Sequence, residues 1–218
     1  MKVLEEKLKR TILSVPPYLV GIEYRVKNIN LWLQDGSTEV GIVAICGMSG
    51  IGKTTIAKYV FNLNFERFEA CSFLANIREV SGQPDGLIRL QRQLLSDISK
   101  GKKKKIWNVD EGIIRIRDTI CVKRVLLVLD DMDYIDHFEP ILGMRDSLHP
   151  GSKIIIMTRH MRLLPHEFYK IHDVEIMGFD ESFKLFSWHA FGQDYPFHAY
   201  ANHSKRVVTH CGGTPSGT

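Results

Sequence analysis

Residues 47–55 read GMSGIGKTT, and this run determines which class of protein the chain can belong to. It matches the spacing G-x-x-x-x-G-K-[ST] without a mismatch. The lack of side chains at Gly47, Gly50 and Gly52 lets a polyphosphate approach the backbone N–H groups. Lys53 supplies a mobile cation for the β- and γ-phosphates, and Thr54 supplies a hydroxyl for Mg²⁺. The run therefore predicts a phosphate-binding loop.

The segments on either side of this loop support that interpretation. Residues 40–46 form a nearly continuous apolar run, which is typical of a strand buried on both faces of a parallel sheet. Residues 55–61 have the composition of the start of a helix. A strand, a glycine loop and a helix in this order place a helix N-terminus under the phosphates. The alternative is a glycine-rich turn without a ligand, which this flanking pattern disfavours.

A second acidic motif follows a buried strand further along the chain. Residues 125–129 are all apolar and are followed by Asp130 and Asp131. Parallel strands present ligand-binding residues at their carboxyl ends. We therefore expect Asp130 to hold Mg²⁺, and Asp131 to orient an attacking water as a general base. The alternative is that the two carboxylates only terminate the strand.

The next predicted strand ends in Thr158 and Arg159. The fixed donor fork of an arginine at this position suits a γ-phosphate and would distinguish a triphosphate from a diphosphate. The alternative is a surface arginine in an ion pair, and spacing alone favours that alternative. No Asn-Lys-x-Asp guanine signature occurs, so adenine is favoured over guanine. The H-R-D and D-F-G elements of protein kinases are also missing.

Composition restricts the remaining classes of function. The chain has 218 residues, 44% hydrophobic content and a net charge of +4, which is too mild to indicate nucleic-acid binding. No apolar run is long enough to span a membrane, and the N-terminus lacks a signal-peptide core. The four cysteines show no C-x-x-C pairing and are expected to be free, buried thiols. A cytoplasmic protein is expected, with the nucleus also possible. The basic run Lys102 to Lys105 is expected to be a solvated loop.

The order of predicted elements indicates an α/β fold with a doubly wound, mainly parallel sheet. We expect an N-terminal helix and linker over residues 1–19 and a nucleotide-binding domain over 20–170. Residues 171–218 would complete that domain and begin a helical subdomain. A short final strand is predicted from Val174 to Met177.

Several segments together resemble the NB-ARC module of plant disease-resistance receptors. They are residues 18–23, 47–55, 73–79, 125–133, 151–159 and 185–191. The resemblance covers about residues 18 to 217. Asp133 and the segment Phe73 to Glu79 point to the subclass with an N-terminal Toll/interleukin-1-receptor-like domain. The resemblance implies a P-loop NTPase of the STAND/AAA-like kind.

The resemblance also implies a function and a set of site residues. The function is an ADP/ATP switch with slow hydrolysis in an intracellular immune receptor, in which exchange of ADP for ATP allows oligomerisation and defence signalling. Contacts with other receptor domains or protomers are implied. Contacts with a membrane or with a nucleic acid are not implied. The implied base-side residues are Val20, Ile22, Arg25 and Pro215. The implied phosphate-side residues are Gly47, Gly50, Gly52, Lys53, Thr54, Thr55, Asp130, Asp131 and Arg159.

The C-terminal segment departs from the family pattern. Residues 213–218 read GTPSGT, so polar residues replace the leucines expected on either side of Pro215. A fragment or truncated form of a receptor is therefore expected. Two alternatives stay open, namely a non-catalytic interaction module that pairs with full-length receptors, and a general P-loop ATPase with real turnover.

Overall fold

A computed structural model describes residues 12–99, 105–132, 147–160 and 170–215. These ranges contain both helices and strands. The strands are β1 (Gly41–Cys46), β2 (Ala70–Leu74), β3 (Val125–Leu129), β4 (Lys153–Thr158) and β5 (Lys170–Asp173). The α-helices are α1 (Ile22–Leu33), α2 (Lys53–Asn64), α3 (Ile77–Ser81), α4 (Gly86–Ile98), α5 (Val109–Ile120), α6 (Phe179–Phe191) and α7 (Ala201–Cys211).

The five strands form one parallel sheet in the order β2-β3-β4-β1-β5. Successive side chains of a strand point to opposite faces, so both faces of each central strand need a cover. Ile42, Ile154 and Leu127 pack into the cluster that α4 and α5 cover. Val43, Ile155 and Leu126 pack into the cluster that α1 and α2 cover. The predicted doubly wound α/β fold is therefore confirmed.

β4 lies between β1 and β3, which brings three predicted site segments to one edge of the sheet. Cys46 at the end of β1 pairs with Thr158 at the end of β4, and Leu129 of β3 pairs with Ile156 of β4. The phosphate loop, Arg159 and Asp130 thus follow directly from the carboxyl ends of three adjacent strands. This edge is where open α/β sheets bind ligands.

The predicted strand from Val174 to Met177 is wrong. The edge strand is Lys170–Asp173, which pairs with residues 43–46 of β1. An edge strand keeps one side exposed, so it tolerates polar residues, and its sequence lacks the apolar run that signals a buried strand. Val174 still donates its N–H to Cys46 O at 2.9 Å before the chain turns away, and Met177 donates to Gly213 O at 3.2 Å.

Other predictions need smaller corrections. β2 ends at Leu74, because Asn76 adopts a left-handed conformation and α3 begins at Ile77. Of the four free cysteines only Cys46 is buried, and Cys121 is exposed. The predictions for residues 1–11 and for Lys102 to Lys104 lie outside the described residues.

The N-terminal segment is joined to the C-terminal helices near the start of α1. Gly21, which precedes α1, has φ of 66°, and a Cβ built on it would lie 2.1 Å from Glu181 Oε1. Arg25 Nη2 donates to Glu181 Oε2 at 2.7 Å, and Arg25 Nη1 donates to Glu181 Oε1 at 3.1 Å. Tyr18 stacks on Trp188 of α6 with ring centroids 5.1 Å apart. A larger residue at position 21 would therefore strain the backbone and push aside the ends of the Glu181 and Arg25 side chains.

We predict that Gly21→Ala lowers the free energy of unfolding by about 1–3 kcal/mol, because it strains the backbone and displaces the Arg25–Glu181 pair. Gly36→Ala is a matched control, since Gly36 has a similar φ of 69° but no atom within 4 Å of an added Cβ. Urea denaturation of both variants checks this. Equal losses would show that the close approach of Glu181 does not matter.

Candidate nucleotide-binding site

The loop between β1 and α2 has the conformation that its glycines allow. Gly50 and Gly52 have φ of 79° and 100°, values in the region that L side chains rarely adopt. α2 begins at Lys53, so its first unpaired N–H groups and the positive end of its dipole face the loop. Thr54 and Thr55 lie in this first turn. A helix N-terminus with a glycine loop before it suits a phosphate group.

Lys53 is held over the loop by its backbone. Its Nζ donates to Gly47 O at 2.7 Å and to Met48 O at 2.8 Å. Burial lowers the pKa of Lys53, and the charge of Arg159 lowers it further, whereas Asp131 and Asp130 raise it. These four charged groups therefore lie close enough to influence one another at one place, as the motifs predict.

Thr54 and Asp130 meet across the width of β4. Thr54 Oγ1 donates to Asp130, with distances of 3.1 Å to Oδ1 and 3.2 Å to Oδ2. Asp130 is only 4% exposed, and its N–H donates to Leu74 O at 2.8 Å, which fixes its position. Burial raises the pKa of the Asp130 carboxyl, and the Thr54 hydrogen bond partly offsets this.

The chemistry of this pair fits Mg²⁺. A hydroxyl and a carboxylate are hard oxygen ligands, and Mg²⁺ is commonly bound by one or two such groups together with phosphate oxygens and water. A bound cation would also compensate the buried charge of Asp130. In the part of the chain that the structure describes, three or more His, Cys, Asp or Glu side chains never cluster as a metal site would need.

Asp131 has two arginine partners. Arg78 Nε lies 3.2 Å from Asp131 Oδ2, and Arg159 Nη2 lies 3.4 Å from Asp131 Oδ1. The predicted sensor Arg159 therefore belongs to the same group of side chains as the predicted water-orienting Asp131. Arg78 was not predicted from the sequence as a site residue. Its position just after β2, at the carboxyl edge of a parallel sheet, could have identified it.

The predicted base-side residues occupy two different environments. Ile22 is buried in the cluster beneath α1, and Val20 is half-buried beside it. The guanidinium of Arg25 is occupied by Glu181 and by Gly21 O at 3.0 Å, and it lies over the Tyr24 ring. The Glu181 carboxylate was also not selected from the sequence, because only the fold brings α6 to Arg25.

The C-terminal segment reaches the phosphate loop. A Cβ built on Gly52 would lie 3.9 Å from Pro215 Cγ, so Pro215 lies near the loop. Gly213 holds this segment by accepting the Met177 N–H, and its φ of 79° allows the turn after α7. The structure thus brings the most distant of the predicted site residues to the glycine loop.

Comparisons with known proteins identify relatives of this chain. Residues 22–195 match the NB-ARC domain family. Disease resistance protein RPV1 of Vitis rotundifolia is 43% identical over 211 residues, which are 96% of this chain and 15% of that protein. TMV resistance protein N of Nicotiana glutinosa is 34% identical over 219 residues, covering 97% of this chain and 19% of that protein. The chain thus spans less than a fifth of the length of these two relatives.

A solved structure supports the fold independently. CDC6P from Pyrobaculum aerophilum superposes with a TM-score of 0.65 at 13% identity, covering 91% of this chain and 56% of that one. At this identity the likeness concerns the fold alone, and it confirms the α/β P-loop NTPase architecture. None of the helices in the described ranges is long and apolar enough to cross a membrane.

We predict that Asp130→Asn stabilises the protein in the absence of nucleotide and Mg²⁺. Because burial raises the pKa of this carboxyl, its ionised form costs folding free energy at neutral pH, and the cost disappears below the unfolded pKa of about 4. The variant should unfold roughly 2 °C or more above wild type at pH 7.5, and the gap should narrow on acidification.

Asp97→Asn is the matched control. Burial also raises the pKa of Asp97, which accepts a 2.6 Å hydrogen bond from Ser72 outside the site. Both variants should be stabilised, but only Asp130→Asn should lose Mg²⁺-dependent nucleotide binding. A gap for Asp130→Asn that does not change with pH would contradict the electrostatic cause.

Proposed function

Because this chain belongs to the NB-ARC domain family, we propose that it is the ADP/ATP-binding switch module of an intracellular plant immune receptor. The observation that carries the proposal is the convergence of Lys53, Thr54 and Asp130 at the carboxyl edge of the sheet, with Thr54 bonded to Asp130 at 3.1 Å. The disease-resistance names of the relatives supply the biological setting.

Each residue on the phosphate side of the site would have a separate role. The N–H groups of the glycine loop and of the first turn of α2 would bind phosphate oxygens, and Lys53 would leave the loop carbonyls to neutralise the β- and γ-phosphates. Thr54 and Asp130 would hold Mg²⁺, directly or through water. When bound, Mg²⁺ supplies charge compensation between the β- and γ-phosphates.

An adenine base is favoured because the sequence lacks the Asn-Lys-x-Asp guanine signature. Val20, Ile22 and Pro215 would provide apolar contacts to the base, and the Arg25–Glu181 ion pair would hold this region in place. Pro215 lies near Gly52, so the C-terminal segment would lie beside the same nucleotide whose phosphates the loop holds. We expect ADP and ATP to bind in preference to the guanine nucleotides.

The environment of Asp131 supports slow hydrolysis. Both of its carboxylate oxygens are within ion-pair distance of a guanidinium group, Arg78 on one side and Arg159 on the other. A general base needs a free lone pair within hydrogen-bond reach of the attacking water. The two guanidinium groups would therefore compete with an attacking water for this carboxylate, which suits a switch that resets slowly.

The wider setting follows from the relatives and is part of the proposal. A receptor of the Toll-type subclass would place this module between other domains, and nucleotide exchange would change its contacts with those domains or with other protomers. The setting is the cytoplasm, with the nucleus also possible. The module itself would respond to the presence of a γ-phosphate by changing the surface that it presents to those domains or protomers.

We predict that Lys53→Ala weakens the binding of ADP and ATP at least about 10-fold, because it removes a charge-assisted contact from the phosphates. Calorimetry with Mg²⁺ present measures this. Lys27→Ala is the control, since Lys27 lies on the exposed face of α1 and should bind as wild type does.

Two results would contradict the proposal. If the folded wild-type protein binds neither ADP nor ATP, the chain is not a nucleotide switch, and an interaction module becomes the better account. If it instead hydrolyses ATP steadily above about 1 s⁻¹, and Lys53→Ala abolishes this turnover, the chain is an ordinary ATPase.

A further inference from the structure

Asp131 is held in a strained conformation between two cations. Its φ of 53° lies in the left-handed region, which is uncommon for residues other than glycine. Oδ2 contacts Arg78 Nε at 3.2 Å, and Oδ1 contacts Arg159 Nη2 at 3.4 Å. One carboxylate is thus shared between an arginine from the corner after β2 and an arginine from the end of β4.

The corner that carries Arg78 is fixed to the acidic corner by its backbone. Ile77 N–H donates to Asp130 O at 3.0 Å, and Arg78 N–H donates to Asp131 O at 3.2 Å. α3 begins at this point, so the Arg78 side chain starts from a backbone that is bonded to the residue it pairs with. The Arg159 side chain reaches Asp131 from the end of β4, and it is 35% exposed.

We propose that Arg78 is a positioning residue that sets how strongly Asp131 retains Arg159, and thereby how well the site distinguishes a nucleoside triphosphate from a diphosphate. This inference rests on the proposed nucleotide switch. Arg78 acts through Asp131, and its own contact with the phosphates is not required.

Two anions compete for the guanidinium of Arg159, namely the Asp131 carboxylate and the terminal phosphate of a bound triphosphate. A terminal phosphate must draw Arg159 away from Asp131, because the two anions compete for the same donors. Arg78 shares the charge of Asp131 and so weakens its hold on Arg159. Without Arg78 the carboxylate attracts Arg159 alone, and the triphosphate loses part of its advantage. Without the charge of Asp131, Arg159 is free for the triphosphate.

The charges lie at the right place for this effect. Arg159 and Asp131 follow the carboxyl ends of β4 and β3, which lie side by side next to β1 and the loop that carries Lys53. The Arg78 side chain is 43% exposed, and an ion pair this exposed contributes little to folding stability. A purely structural role for Arg78 would therefore leave the ratio of the two nucleotide affinities unchanged.

The experiment measures that ratio by calorimetry in the full chain, with Mg²⁺, ADP and an ATP analogue that resists hydrolysis. We expect Arg78→Ala to lower the triphosphate-to-diphosphate affinity ratio by about 3-fold or more, and Arg78→Lys to lower it less. Asp131→Asn should raise the ratio. In the Asp131→Asn background, Arg78→Ala should cause no further change, because the carboxylate through which it acts is neutral.

Arg89→Ala is the matched control, since Arg89 is an exposed arginine on α4 whose bond is to Gln83. Thermal unfolding checks that each variant is folded. An unchanged ratio in folded Arg78→Ala would overturn the inference and leave the proposed function intact. An Arg78→Ala effect that persists with Asp131→Asn would also overturn it, because Arg78 would then act on the nucleotide itself. Absence of any binding by wild type would overturn the proposed function, and this inference with it.

Discussion

The parallel pairing of β1, β4 and β3 is the constraint on which the rest of this structure depends. Helices cover both faces of these strands, so a ligand cannot reach the strand residues from either face of the sheet. Among the described residues, those of the predicted site that follow β1, β3 and β4 lie at the carboxyl edge of the sheet. The register aligns Cys46 with Thr158 and Leu129 with Ile156, so the residues that follow each strand emerge side by side. The site is thus a consequence of strand order and register.

That edge also carries residues with shifted pKa values and an unfavourable backbone conformation. Asp130 is buried with a raised pKa, Lys53 has a pKa lowered by burial, and Asp131 has a left-handed backbone. Ionisable groups whose pKa values are shifted by burial and neighbouring charges occur at functional sites more often than elsewhere. A bound Mg²⁺–nucleotide would relieve the first two, because the cation offsets the charge of Asp130 and the phosphates offset the charge of Lys53. Folding stability and ligand binding are therefore opposed at this edge.

Local sequence patterns predicted the parts of the site that are built locally. The glycine loop, Thr54 and Asp130 each follow from a short motif beside a buried strand, because a motif and its strand are adjacent in the chain. Arg78 and Glu181 were missed because their partners are 53 and 156 positions away. The edge strand was misplaced because Lys170–Asp173 is half-exposed and carries no apolar run. Contacts made by tertiary packing and strands without a buried pattern leave no local signal.

The central claim is that this edge of the sheet holds an adenine nucleotide. Native mass spectrometry of the purified protein, followed by identification of the small molecule released on denaturation, tests it most directly. The account predicts one ADP per chain, lost in Lys53→Ala. A folded wild-type protein that carries a guanine nucleotide, or that stays free of nucleotide even after incubation with Mg²⁺ and ADP, would contradict it.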